Sequence, residues 1–342
     1  MICTSRQGAP TLRGLKELEM DIRALPKAEL HCHLDGVLDP AMAREIRCAD
    51  PTFPVDPAAP EAADPITDVE SFFRRWDWIR PIEGQLKWFY PILAIHMERL
   101  KAQRVVYAEV MLASGELPRD PAQAVEEISA FREWADRQED GRIQVEFLVA
   151  FGRNGPPEAV ARLEDRILAL HQAGLIVGVA LAGPERGNPV QPFHSTFARL
   201  HEAGLRIEIH AGEWCGPESV WDALTYGYPD RIGHGVSLFQ DPRLVEIFQE
   251  RQIHVEMCPT SNLQTGSVSR LRDHPVGRAR DLGLHFSVNT DDPGVFGCSV
   301  ASEYALLAEE FGFAEDDLRC ITAHALEARF QPQLRIAGGT AG

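Results

Sequence analysis

Ala28-Glu29-Leu30-His31-Cys32-His33-Leu34-Asp35-Gly36 ends the first of eight short β-rich runs, and its reading decides the fold. A doubly wound open sheet would normally place a glycine-rich phosphate turn after its first strand. This chain places His-Cys-His-Leu-Asp-Gly there. Side chains alternate faces along a strand, so His31 and His33 point the same way and Cys32 points away from them, into packing. Two imidazoles side by side on a stiff strand make half of a transition-metal site. His210 and Asp291 complete it only if the fold gathers distant strand ends together.

The other seven runs are Val105–Leu112, Ile143–Ala150, Ile176–Gly183, Leu205–Gly212, Arg231–Gly235, Ile253–Pro259 and Leu284–Asp292. Most are near-continuous apolar stretches, the pattern of parallel strands covered by helices. Between them, Asp120-Pro121, Pro156-Pro157-Glu158 and Asp241-Pro242 carry helix-start signals. Gly174, Gly204 and Gly283 stand where helices end before strands. Eightfold strand–helix alternation predicts an α/β fold, a (β/α)8 TIM barrel forming one domain over residues 1–342. A helical insertion of about 38–104 interrupts it after the first strand. The stretch from Asp50 to Asp68 is rich in proline and acid and reads as a surface loop. The part beyond it holds Phe72, Phe73, Trp76, Trp78, Trp88, Phe89 and Tyr90. The plain reading of these aromatics is core packing of inserted helices; the sharper one is a lid over the active-site mouth.

Composition narrows the function. The net charge of -17 opposes a nucleic-acid polymer as partner but leaves room for a small nucleotide-like ligand. The seven cysteines are scattered and form no CxxC pair, which fits reduced thiols. Charged residues at Arg6, Arg13, Lys16, Glu17, Glu19, Asp21 and Arg23 interrupt any signal-peptide stretch, and no apolar run is long enough to cross a membrane. A cytoplasmic protein is expected. The sequence carries no signal for an oligomeric state.

In such a barrel functional groups sit at the C-terminal ends of strands, and His33, His210, His234 and Asp291 all fall there. Three imidazoles and a carboxylate suit zinc better than magnesium or calcium. A catalytic zinc keeps a position for water and lowers its pKa towards about 7. Glu213 and His234 remain for proton transfer or for orienting the water. The plain alternative for Glu213 is a carboxylate at a helix N-terminus. Gly233 and Gly235 flank His234 and let the backbone crowd the site. The remaining histidines, His96, His171, His194, His201, His254, His274, His285 and His324, read as structural.

These stretches together resemble the adenosine deaminase family of metal-dependent amidohydrolase barrels. The resemblance runs over nearly the whole chain. Besides the first stretch, it rests on Leu181-Ala182-Gly183, His210-Ala211-Gly212-Glu213, Arg231-Ile232-Gly233-His234-Gly235-Val236 and Asn289-Thr290-Asp291-Asp292-Pro293-Gly294. Gly216-Pro217-Glu218-Ser219 and Thr260-Ser261-Asn262 look like its bacterial members. The resemblance implies one Zn2+ per chain on His31, His33, His210 and Asp291. It implies Glu213 as proton donor to the ring nitrogen beside the amino-bearing carbon, and His234 with Asp291 orienting and deprotonating the attacking water. Asp292 would hold the purine N7, the Gly183 amide its N3, and Asp35 the sugar. The expected reaction converts adenosine or a related 6-aminopurine nucleoside to the 6-oxopurine and ammonia. Adenine, an N6-substituted adenine and a 5′-modified adenine nucleoside are alternative substrates, and a catalytically silent binding protein is the rival class. Strand four ends in Ala182-Gly183-Pro184, with no lysine to bridge a second metal, and the H-x-E with P-C-x-x-C pattern of nucleic-acid deaminases is absent. Val37, Ala180 and Pro184 depart from the family pattern at positions expected to border the substrate pocket.

Overall fold

Period-two alternation sorts the strand residues into two layers, as the computed structural model shows for the described residues 21–58 and 66–335. Val110, Phe147, Val149, Val179, Ile207 and Ile209 join the apolar layer beneath the outer helices. Their neighbours Met111, Leu148, Ala150 and Ala180 form a smaller inner cluster with Phe330. The strands are β1 Lys27–His33, β2 Val105–Ala113, β3 Gln144–Gly152, β4 Gly178–Ala182, β5 Arg206–Ala211, β6 Arg231–His234, β7 His254–Met257 and β8 Phe286–Val288. Each pairs in parallel with the next, in the order β1 to β8. All eight expected runs are strands, and the (β/α)8 barrel is observed.

The seam between β8 and β1 is built differently. Cys32 and Asp291 form a single parallel bridge. Asp291 N–H donates to His31 O at 3.0 Å, and His33 N–H donates to Asp291 O at 2.9 Å. Deeper in the seam the Asn289 side chain replaces a backbone partner, its Oδ1 accepting from Leu30 N–H at 2.9 Å. The ladder of β8 therefore stops at Val288, and Asp291 lies three residues beyond it rather than closing the eighth run as expected.

The insertion carries helices α1 Pro40–Ala49, α2 Val69–Trp76 and α3 Phe89–Ala102. The outer helices are α4 Pro121–Gln138, α5 Pro157–Gln172, α6 His194–Glu202, α7 Pro217–Tyr226 and α8 Pro242–Arg251. Beyond β7 come α9 Pro259–Gln264 and α10 Val276–Asp281, and after β8 come α11 Pro293–Phe296, α12 Val300–Phe311 and α13 Glu315–Ala328. The start signals act as expected: Asp120 accepts from Gln123 N–H at 2.9 Å and Asp241 from Arg243 N–H at 2.9 Å. Gly174, Gly204 and Gly283 all take the left-handed backbone conformation.

The inserted aromatics divide into two groups, one packed in the core and one lining a cavity. Trp88 packs edge-on against Phe53 at 5.2 Å, Phe89 is buried, and Tyr90 packs on Phe131 and Trp134. Phe72, Phe73 and Trp76 instead line the cavity at the C-terminal end of the barrel. Within the expected 50–68 loop, residues 59–65 lie outside the described residues, and Phe53 and Val55 are buried. Cys3 and the charged residues 6–19 also lie outside. No helix among the described residues is long and apolar enough to cross a membrane.

Removing the Asn289 amide leaves Leu30 N–H buried without its partner. Asn289→Ala is expected to lower unfolding free energy by about 1–3 kcal/mol, measured by urea denaturation.

Candidate active site and metal centre

Four ligand-bearing side chains meet where the barrel seam opens. Nε2 of His33 lies 3.2 Å from Nε2 of His210, and Oδ1 of Asp291 lies 3.4 Å from His31 Nε2 and 3.5 Å from His33 Nε2. Four donors about 2.05 Å from a tetrahedral metal sit roughly 3.3 Å apart. The observed separations match that spacing. His31 Nε2 has no hydrogen-bond partner among the described residues although it is fully buried. Burial pushes the His33 pKa down to about 4 and lowers that of His210 well below the imidazole value, so both keep lone pairs for a ligand. Burial also opposes charge on His31, yet Asp291, Glu256 and Glu208 together hold its pKa well above normal. The local field thus favours a cation where the four donors converge. The residues present fit a metal ion.

The candidate ligands are held from behind. His31 Nδ1–H donates to Glu256 Oε2 at 2.8 Å, and Glu208 Oε1 stands 3.1 Å from His210 Nδ1. Ser261 Oγ–H donates to Asp291 Oδ2 at 2.7 Å, leaving Oδ1 toward the imidazoles. The buried Arg153 guanidinium donates to the His210 carbonyl. Such outer partners fix ring orientation and raise ligand basicity. Glu208 was legible in principle, because it lies two residues before His210 on the same strand face. Glu256 shows only as a charge inside a buried strand. Arg153 has no local pattern that reveals it, whereas Ser261 lies in the Thr260-Ser261-Asn262 stretch that carries part of the resemblance, which gave it no role.

Glu213 and His234 face the same cluster. Their Oε2 and Nε2 atoms are 3.6 Å apart and both side chains are buried. Burial, then Asp291 and Glu185, push the Glu213 pKa well above the usual carboxylate range. Glu213 is not a helix-start carboxylate; Glu218 takes that place on α7, accepting from Gly216 N–H at 3.0 Å. The loop bearing Glu213 is fixed by Glu185, which accepts from Gly212 and Trp214 N–H at 2.6 Å each, and from Cys215 N–H at 3.0 Å. His234 and Asp291 both have left-handed backbone, with φ 63° and 61°, unusual for residues other than glycine. A Cβ at Gly233 would stand 2.2 Å from Glu208 Oε1, so only glycine lets the strand pass this close.

A cavity of about 420 Å³ opens above these groups. Asp35, Gly183 and Asp292 line it, together with Glu83, Glu116, Asn154 and the aromatic rings of Phe72, Phe73, Trp76 and Trp214. Asp292 Oδ1 is buried without a partner among the described residues. Burial, Asp291 and Asp35 push its pKa well up. The departures at Val37, Ala180 and Pro184 do not border this cavity, contrary to expectation. Ala180 packs one layer down beside Met111 and Leu148, and Val37 packs in the outer apolar layer. The structural reading of the spare histidines holds for His96 and His254, which rest against Cys32 and Ser287.

The family model described as adenosine deaminase matches residues 26–336. An aminodeoxyfutalosine deaminase from Streptomyces avermitilis is 36% identical, over 92% of this chain and 89% of the relative. An adenosine deaminase from Klebsiella pneumoniae is 33% identical, over 90% of this chain and 94% of the relative. The crystal structure of an adenine deaminase from Arthrobacter aurescens superposes with a TM-score of 0.79 at 26% identity, covering 90% of this chain and 94% of that one.

Glu256→Gln removes the anion behind His31. It is expected to weaken metal affinity about 10–100-fold, measured by competition with a chromophoric chelator.

Proposed function

The chain belongs to the adenosine deaminase family, and from that premise we propose that it is a zinc-dependent hydrolase releasing ammonia from adenosine or a close relative. The observation that carries the reading is the placement of Glu213, His234 and Asp291 around one cavity point beside the His31, His33, His210 and Asp291 donors. A zinc ion on those donors supplies a Lewis acid that brings the pKa of water near about 7.

The chain's own residues do the rest. Glu213, kept protonated by its burial, donates to the ring nitrogen beside the amino-bearing carbon and makes that carbon electrophilic. His234 and Asp291 orient the attacking water, and Asp291 accepts one of its protons as the oxygen adds to the carbon. That proton passes to the amino group, which leaves as ammonia, and the second water proton returns to Glu213 as the carbonyl forms. Asp292, protonated by its surroundings, donates to the purine N7, and the Gly183 amide donates to N3. Each group is in place before substrate arrives, which is the main source of rate in such sites.

Charge argues for a nucleoside over a nucleotide. Among the described residues the cavity lining includes Asp35, Glu83 and Glu116 and neither lysine nor arginine. Phosphate is bound by such cations or by helix N-termini. Asp35 at the sugar end accepts from a hydroxyl. A second reading, an adenine nucleoside enlarged at its 5′ end, is favoured by the four aromatic rings in the lining and by the likeness to an aminodeoxyfutalosine deaminase. We propose a cytoplasmic location, a reading supported by the unpaired thiols of the described residues.

Adenosine, 5′-methylthioadenosine, aminodeoxyfutalosine, adenine, N6-methyladenosine and AMP, offered to the zinc-loaded protein, separate these readings by the ultraviolet change from amino- to oxopurine. AMP is expected to be the poorest nucleoside derivative, and no reaction with any of the six overturns the proposal. Glu213→Gln is expected to lower kcat by at least about 10²-fold with zinc still bound, by metal analysis. Because Glu213 acts in its protonated form, kcat should fall as pH rises through its elevated pKa. A flat alkaline limb removes Glu213 from the role of acid.

A further inference from the structure

His274 occupies the turn before α10, remote from the metal ligands in sequence, and is buried. Burial alone pushes its pKa down to about 3, so at neutral pH the ring is uncharged and carries one proton. The backbone N–H of Val276 points at its Nδ1, at 3.2 Å. A backbone amide can only donate, so Nδ1 holds the lone pair and the proton sits on Nε2. That Nε2 lies 3.1 Å from Oδ1 of Asn262. The donor fixes which way the Asn262 amide faces, because its oxygen must receive the proton. The amide nitrogen is thereby turned to His234, with Nδ2 3.0 Å from Nδ1 of that ring. An NH2 group meeting Nδ1 leaves no room for a proton there. The remaining nitrogen, Nε2, faces the cavity beside Glu213.

We propose that His274 and Asn262 are positioning residues that set His234 as its Nε2–H form, so that the ring offers the reacting water a hydrogen-bond donor and no lone pair. His234 then orients the water and does not take its proton. The chain of donors runs one way, from Val276 N–H through His274 and Asn262, and a backbone amide that cannot reverse anchors it. Short α9 presents Asn262 to His234 and Ser261 to Asp291, so one element aligns both groups around the water. The consequence for catalysis rests on the deaminase reading; the assignment of the proton does not.

Full-length, zinc-loaded protein labelled with 15N-histidine tests the assignment by long-range proton–nitrogen correlation NMR, with signals assigned by their loss in single-histidine variants. The expected spectrum shows both His234 and His274 protonated at Nε2 and bare at Nδ1. In Asn262→Asp the new carboxylate only accepts, so His234 should switch to Nδ1–H, and kcat for the best aminopurine should fall about 10²-fold or more with KM changed less than kcat. His274→Gln keeps an N–H for Asn262 and should retain the Nε2–H form and most of the kcat lost in His274→Ala. A wild-type His234 protonated at Nδ1 overturns the proposal. So does a folded Asn262→Asp protein in which His234 keeps Nε2–H, or in which the form switches at undiminished kcat. If Asn262→Asp does not fold, the wild-type spectrum decides. If no aminopurine reacts while the spectrum is as expected, the functional reading fails and the tautomer assignment stands.

Discussion

Charge balance on a buried barrel axis is the constraint on which the rest of this molecule depends. Glu109, Glu208, Glu256, Arg231 and His31 are all buried, where an unpaired ion costs several kcal/mol. Arg231 answers two of the acids, its Nη2 donating to Glu109 at 2.5 Å and its Nε lying 2.5 Å from Glu256 Oε1. The second oxygen of Glu256 turns upward to His31. Phe330 closes the lower end, with the Arg231 guanidinium 3.4 Å from its ring centroid. A column of alternating charge thus runs from the barrel floor to the ligand cluster. It fixes the orientation of the first imidazole, and the others are arranged around it.

The site is rigid for reasons that differ from residue to residue. His31 and His33 are stiff because they stand on a strand. Glu213 is on a loop, and Glu185 supplies the stiffness by gathering three backbone amides of that loop. His234 and Asp291 sit in a backbone region that side chains avoid, a strain held only because the packing around them over-determines it. Glu213 and Asp291 are thus positioned from outside the strands while His31, His33, His210 and His234 stand on them, and a reaction dependent on exact proton placement requires both.

Much of this was readable in the sequence, and the boundary of legibility has a physical cause. Period-two alternation ties His31 to His33, and cap chemistry locates the helices at Asp120 and Asp241, because both are local effects. The matching strand ends of His33, His210 and His234 follow from the barrel. Asp291 was misplaced onto a strand because an asparagine side chain, Asn289, ends the β8 ladder early, and no local pattern announces that substitution. The aromatics of the insertion look alike in sequence; only their distant neighbours, Phe53 and Phe131 for some and Phe296 and Trp214 for others, separate core from cavity. Glu185, Arg153 and His274 matter through partners distant in sequence, so nothing in their own surroundings distinguishes them from ordinary surface or core polar groups; Asn262 stands in a stretch that carries the resemblance, but its role too depends on distant partners.

The seam has a consequence for how the chain assembles. The Leu30–Asn289 hydrogen bond spans 259 residues of sequence, so β1 and β8 make the most non-local strand pairing in the barrel. Seven of the eight strand junctions join sequence neighbours and can zip in order; this one brings the two ends of the sheet together. The putting-together of that pairing uses few backbone bonds, and the ligand donors straddle it, with His31 and His33 on one side and Asp291 on the other. The proposed metal centre would therefore also be the clasp of the sheet. Binding free energy gained there enters the closing of the barrel directly, so the amides bordering the seam should be the most sensitive in the molecule to whether the ion is bound.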